Sequence, residues 1–169
     1  MKKFRLLLLD ANIVIELFRR RLWDAFLRQC DVHLAETVKN EAVFWEDENG
    51  EKHPINLDDY QTSGAITVFS VPPSAIQSFR GRFGPVHADQ MEDGETESLA
   101  YLIANRDRDY LISSADAIVY RVLGLYRMGE RGISLEEILG QIGMKRQLDW
   151  PFGKSFRDLN TRKGFAESL

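Results

Sequence analysis

Four carboxylates in this chain stand where a strand gives way to a helix or where a helix begins: Asp10, Glu41, Glu95 and Asp116. Asp10 closes the run Leu6-Leu7-Leu8-Leu9, and Asp116 closes the run from Tyr110 through Leu111, Ile112, Ser113, Ser114 and Ala115. A short run that is apolar throughout reads as a strand buried on both faces, as in a parallel sheet. A carboxylate ending such a strand lies at the carboxyl edge of the sheet, where open α/β folds place their ligands. Glu41 is expected about one turn into a helix that starts near Thr37, and Glu95 in the first turn of a helix opening at Asp93-Gly94. Four carboxylates at one edge repel strongly and are tolerated only when protonated or neutralised. An oxygen-only set, with no cysteine or histidine beside it, suits Mg²⁺ or Mn²⁺ rather than zinc. Such an ion activates water and stabilises charge on a phosphoryl group, so phosphodiester hydrolysis is the chemistry this set suggests. Neighbouring acids compete for the same roles: Glu36 with Glu41, and Asp93 and Glu97 with Glu95. Acids in a first helical turn suit the helix dipole whatever else they do, and Asp116 also has the position of an N-cap.

The elements that would position these groups alternate. After the first strand, Ile13, Val14, Leu17 and Phe18 recur at helical spacing, and Leu22, Phe26 and Leu27 suggest a second helix. Asp31–Leu34 reads as a short strand, followed by a helix from about Glu36 that Thr37 could cap. Composition changes over residues 45–60, a polar insertion in which Asn49-Gly50 signals a hairpin tip. Thr67–Val71 reads as a strand stopped by Pro72-Pro73, Ser74–Phe83 as a helix and Gly81–Met91 as loop. The helix opening at Asp93 has an apolar stripe of Leu99, Leu102 and Ile103; the one after Asp116 turns Ile118, Val119, Val122 and Leu123 inward and ends at Gly124 or Gly129. Ser134–Ile142 reads as a short helix, and the polar tail beyond it shows no assignable pattern. Short strand–helix alternation implies an α/β fold, a three-layer sandwich with a central parallel sheet of four to five strands. We expect one domain over residues 1–169, with the insertion near 45–60 and a C-terminal extension from about residue 130.

Composition narrows the function. The 26 acidic residues outnumber the 22 basic ones, for a net charge of −4, which argues against a general polyanion-binding module. Basic residues do bunch, at Arg19–Arg21, Lys145-Arg146, and Lys154, Arg157, Arg162 and Lys163; each bunch is expected to be a solvated face, with phosphate contact open to one of them. The lone Cys30 is expected to be a small buried apolar residue. His33, His53 and His87 share no ligand spacing and read as structural or surface groups; Trp23, Trp45 and Trp150 read as core or lid residues. Asp10 ends the first apolar run after four leucines, short of the ~7–15 residues of a signal-peptide core. No apolar stretch approaches the ~18–20 residues that cross a bilayer. A cytoplasmic location with no membrane partner is expected.

Taken together, the leucine strand ending in Asp10 with Asn12 two residues on, the helix carrying Glu41, the Gly94-Glu95 helix start followed by Ser98-Leu99-Ala100, and the Leu111-Ile112-Ser113-Ser114-Ala115-Asp116 strand end resemble the PIN domain over roughly residues 4–126. That family includes ribonuclease toxins of toxin–antitoxin pairs and RNA-processing nucleases. The resemblance implies a metal-dependent endoribonuclease in which Asp10, Glu41, Glu95 and Asp116 hold Mg²⁺ or Mn²⁺. It further implies Ser114 as a phosphate or water contact, RNA as substrate, an antitoxin protein as a partner and a homodimer. Three features depart from the family pattern: the length of the 45–60 insertion, the tail after Gly129, and Ala115, where many members carry a second acid or Asn.

Two other functions compete. A phosphatase of the haloacid dehalogenase type also begins with an apolar strand ending in Asp, but it needs a second Asp two residues later, where this chain has Asn12. A catalytically degenerate domain that binds a partner or RNA is the other, set against by acids at all four positions.

Overall fold

The structure, a computed structural model, describes residues 3–168; the ends of the expected domain, Met1, Lys2 and Leu169, lie outside the described residues. The leucine run forms β1 (Phe4–Leu9), followed by α1 (Ala11–Arg19) and α2 (Trp23–Gln29). Next come β2 (Cys30–Ala35) and the short α3 (Glu36–Glu41). The polar insertion is a hairpin of β3 (Phe44–Glu46) and β4 (Lys52–Pro54), then α4 (Asp58–Thr62). Gly50 turns the hairpin at φ +76, a left-handed conformation that glycine adopts without the steric cost of a Cβ. The chain continues through β5 (Ile66–Phe69), α5 (Pro73–Arg80), the single turn α6 (Pro85–Ala88) and α7 (Asp93–Ala104). It ends with β6 (Leu111–Ser113), α8 (Ala117–Leu125), α9 (Leu135–Gln141) and α10 (Lys154–Glu167). No helix among the described residues is long and apolar enough to cross a membrane.

The four main strands form one parallel sheet in the order β5-β2-β1-β6. Alternation along β1 sends Leu7 and Leu9 into one core and Leu8 into the other. The first core is closed by α1, α2, α3 and α9, and the second by α5, α7 and α8. Two helical layers on one parallel sheet are the expected three-layer α/β arrangement, with four strands. Moving along the chain, the strands step outward from β1 to β2 to β5, and the chain then crosses back to lay β6 on the other side of β1. The order therefore reverses between β1 and β6, the point at which open α/β sheets leave a crevice beyond the strands' carboxyl ends. Asp10 follows β1, and Asp116 lies three residues after β6.

Several expectations needed adjustment. Thr37 is not a cap: Ala35 is the N-cap of α3 and makes no side-chain cap bond. Glu41 is the last residue of α3, about 7.5 Å along the axis from the first at 1.5 Å per residue, and so stands a little over one turn in. β5 ends at Phe69, before the Pro72-Pro73 stop, and the stretch from Gly81 to Met91 holds the α6 turn. The polar tail forms α10 packed on α8 so closely that a Cβ on Gly164 would lie 1.9 Å from the Arg121 carbonyl oxygen, and one on Gly124 2.1 Å from that of Thr161.

Candidate metal centre

Asp10 is built into the β1–α1 junction. Its main-chain N–H donates to Ser113 O at 3.0 Å, continuing the β1–β6 ladder by one bond. One carboxylate oxygen caps α1, accepting from Ala11 N at 2.9 Å. The other accepts the Ser114 hydroxyl at 2.7 Å. That hydroxyl in turn accepts the Asp116 N–H at 2.9 Å, so Ser114 joins the two aspartates' segments. Ser114 is fully buried, and its main chain is held by the Tyr120 hydroxyl, which accepts from Ser114 N at 3.1 Å and donates to Ser114 O at 2.8 Å. Asn12 Oδ1 accepts the Ala115 N–H at 3.1 Å, a second tie across the β1–β6 crevice. The family resemblance implies a phosphate or water contact for Ser114; its hydroxyl donates to Asp10 and accepts the Asp116 N–H, and so orients Asp10.

Glu95 reaches the same crevice from α7. It is 3 % exposed, and its Oε2 accepts the Glu92 N–H at 3.0 Å, so the helix-capping role and a site role coincide in one side chain. Burial first, then its hydrogen bond to Asp116 and repulsion from Asp10, pushes its pKa up to about 9. At neutral pH Glu95 therefore carries a proton. Asp10 is also 3 % exposed, and burial raises its pKa to about 6, with Glu41 and Asp116 adding repulsion against the opposing hydrogen bonds from Ser114 and Ala11. Glu41 is exposed at the rim. Its Oε1 accepts Gly94 N–H at 3.2 Å, and partial burial with repulsion from Glu92 and Asp93 raises its pKa against that bond. Among the described residues, no lysine, arginine or histidine forms an ion pair with any of the four.

The competing acids are used elsewhere. Glu36 accepts the Ser70 hydroxyl at 2.5 Å, Asp93 pairs with Arg80 at 3.1 Å, and Glu97 is buried against Thr37 and Val71. No three of Asp10, Glu41, Glu95 and Asp116 bring oxygens within 4.8 Å of one another. Among the described residues the group that does is Asp47, Glu51 and His53, in the hairpin. His53 shares no ligand spacing with the other histidines, and its neighbours are the nearby carboxylates Asp47 and Glu51. The hairpin accounts for the trio: Asp47 Oδ1 accepts the N–H groups of Asn49 and Glu51, Oδ2 meets His53 Nε2 at 2.8 Å, and Trp45 stacks on the imidazole. The basic bunches are partly paired, Arg19 with Glu16, Arg157 with Glu137 and Arg162 with Asp158. Trp23 is core as expected, whereas Trp150 is 56 % exposed.

All-oxygen donors fit a small hard cation. Each Asp10 oxygen has one protein donor and keeps a lone pair, and Glu95 hydrogen-bonds Asp116 beside it. No family model, no curated protein and no solved structure matches the chain.

Proposed function

We propose that this protein is a metal-dependent endoribonuclease of the PIN-domain type, with Asp10, Glu95 and Asp116 holding Mg²⁺ or Mn²⁺ and Glu41 at the rim. One observation carries the reading: Asp10 is nearly fully buried at the sheet's topological switch point among other carboxylates, and among the described residues no Lys, Arg or His forms an ion pair with it. Burying a carboxylate without a counter-charge is unfavourable by several kcal/mol, roughly, and the hydrogen bonds from Ala11 and Ser114 offset only part of it, since the Asp10 pKa stays raised. When bound, the divalent ion supplies the positive charge that offsets these acids and draws electron density from a phosphodiester. The protein's own part is positional. Ser114 aims Asp10, Asn12 ties the β1 and β6 ends together, and Tyr120 anchors the Ser114 main chain. To hold the ion Glu95 would have to release its proton to solvent, since its pKa is raised to about 9. The choice of RNA among phosphodiesters follows the sequence resemblance.

The phosphatase reading loses support at Asn12. It is not an acid, and its side-chain oxygen is engaged by Ala115 N–H, which leaves it no leaving-group proton to transfer. The test is cleavage of a mixed RNA pool with Mg²⁺ or Mn²⁺, wild type against Asp10→Asn, beside a generic phosphomonoester. Metal-dependent cleavage that is lost in the variant is expected. Cleavage unaffected by the substitution, or none at all, refutes the nuclease, and phosphomonoester turnover alone would establish the phosphatase.

A further inference from the structure

Glu97 is a fifth carboxylate that the proposed chemistry does not use. It is 3 % exposed and, among the described residues, makes no ion pair. Three donors from two distant segments converge on it. Oε1 accepts Thr37 N–H at 3.1 Å and the Thr37 hydroxyl at 2.8 Å, and Oε2 accepts Val71 N–H at 2.8 Å. We propose that Glu97 is the positioning residue of the centre, a clasp from α7 that fixes α3 and so sets where Glu41 stands relative to Glu95. The proposal rests on the metal-centre reading above.

Helix α3 needs an external clasp. With six residues it has few internal bonds, and a helix this short does not hold its own geometry. Its contact with α7 is made at two points one turn apart: Thr37 on Glu97, and Glu41 on Gly94 N–H. Between them Val38 lies so close to α7 that a Cβ on Gly94 would be 3.1 Å from Val38 Cγ2. Glu95, on the same helix two residues before Glu97, therefore has its spacing to Glu41 set through the clasp. A carboxylate is required because the donors need two acceptor oxygens; a glutamine offers one, and turns an N–H toward either Val71 or Thr37.

The experiment measures Mn²⁺ binding to the intact protein by electron paramagnetic resonance, and amide exchange over residues 36–44, for wild type, Glu97→Gln, Thr37→Val and Thr37→Ser. Loss of one hydrogen bond to a charged acceptor is expected to weaken Mn²⁺ binding about tenfold in Glu97→Gln and Thr37→Val and to speed exchange over 36–44. Thr37→Ser, which keeps both donors, should match wild type. Ser134→Ala removes the cap of α9, where, among the described residues, the Ser134 hydroxyl bonds only Glu137 and none of the four acids; it should lower the melting temperature and leave Mn²⁺ affinity unchanged. Should Glu97→Gln fail to fold, Thr37→Val, at a half-buried position, carries the test. Faster exchange with unchanged Mn²⁺ affinity overturns the proposal, as does Thr37→Ser behaving like Thr37→Val. Wild-type protein that binds no Mn²⁺ refutes the metal centre itself, and the positioning role with it.

Discussion

Asp10→Asn should stabilise the metal-free protein while abolishing its metal response. Burial lifts the Asp10 pKa from 3.8 to about 6, so the folded state favours the neutral acid. At about 1.4 kcal/mol per pK unit this is a penalty of about 3 kcal/mol whenever the group is ionised in both states. The sign follows from linkage: a raised pKa means the unfolded chain gives up its proton first as pH rises. The penalty is thus full above about pH 6 and fades as pH falls toward 3.8; linkage puts it at about 1 kcal/mol at pH 4.5. Asn is isosteric and uncharged. Its carbonyl oxygen can keep the Ala11 bond, but its amide meets Ser114 as a donor, a loss of about 1 kcal/mol. The expected net gain is about 2 kcal/mol at pH 7.5 in chelator, read from urea midpoints at constant slope, and no gain at pH 4.5. Adding Mn²⁺ should stabilise wild type and leave the variant unmoved. An Asn variant less stable than wild type at pH 7.5, or a gain that does not shrink in acid, would refute the reasoning.

Three further outcomes follow from the same geometry. In Gly94→Ala the new methyl would lie 2.9 Å from Glu41 Oε2, the free end of a flexible side chain; stability should stay within about 1 kcal/mol, since alanine favours the helix, while metal-dependent cleavage falls about tenfold or more as Glu41 is pushed aside, and unchanged cleavage would show that Glu41 is not used. Because the Glu95 pKa is about 9, Mn²⁺ binding at pH 7.5 should release about one proton and tighten up to about tenfold per pH unit between 7 and 9; calorimetry in two buffers of different ionisation heat counts that proton, and a count of zero contradicts a protonated Glu95 in the metal-free protein. Gly164→Ala drives a methyl into the Arg121 carbonyl and should separate α8 from α10 at a cost of about 3 kcal/mol or more; a urea midpoint near wild type would mean the two helices are not packed this closely.

The amino-acid sequence by itself determined the local elements and the reason Asp10 stands out. Leu6–Leu9 is a strand because nothing polar interrupts it, Asn49-Gly50 is a turn because glycine tolerates φ +76 there, and Ser134–Ile142 reads as a helix, which α9 matches to within a residue at each end. These signals lie within a few residues of the structure they produce. Tertiary structure alone decided the strand order, and with it that Asp10 and Asp116 face each other across the reversal between β1 and β6. Strand order is set by which apolar faces bury one another across the chain, and no local pattern records it. The same holds for partners far apart in sequence. Thr37 looked like a cap because hydroxyls near helix starts usually are, yet its partner, Glu97, is 60 residues away. Glu95 and Glu97 look alike as acids early in a helix. Folding turns one toward Asp116 and Asp10 and the other toward three hydrogen-bond donors, and burial gives the two carboxylates different work.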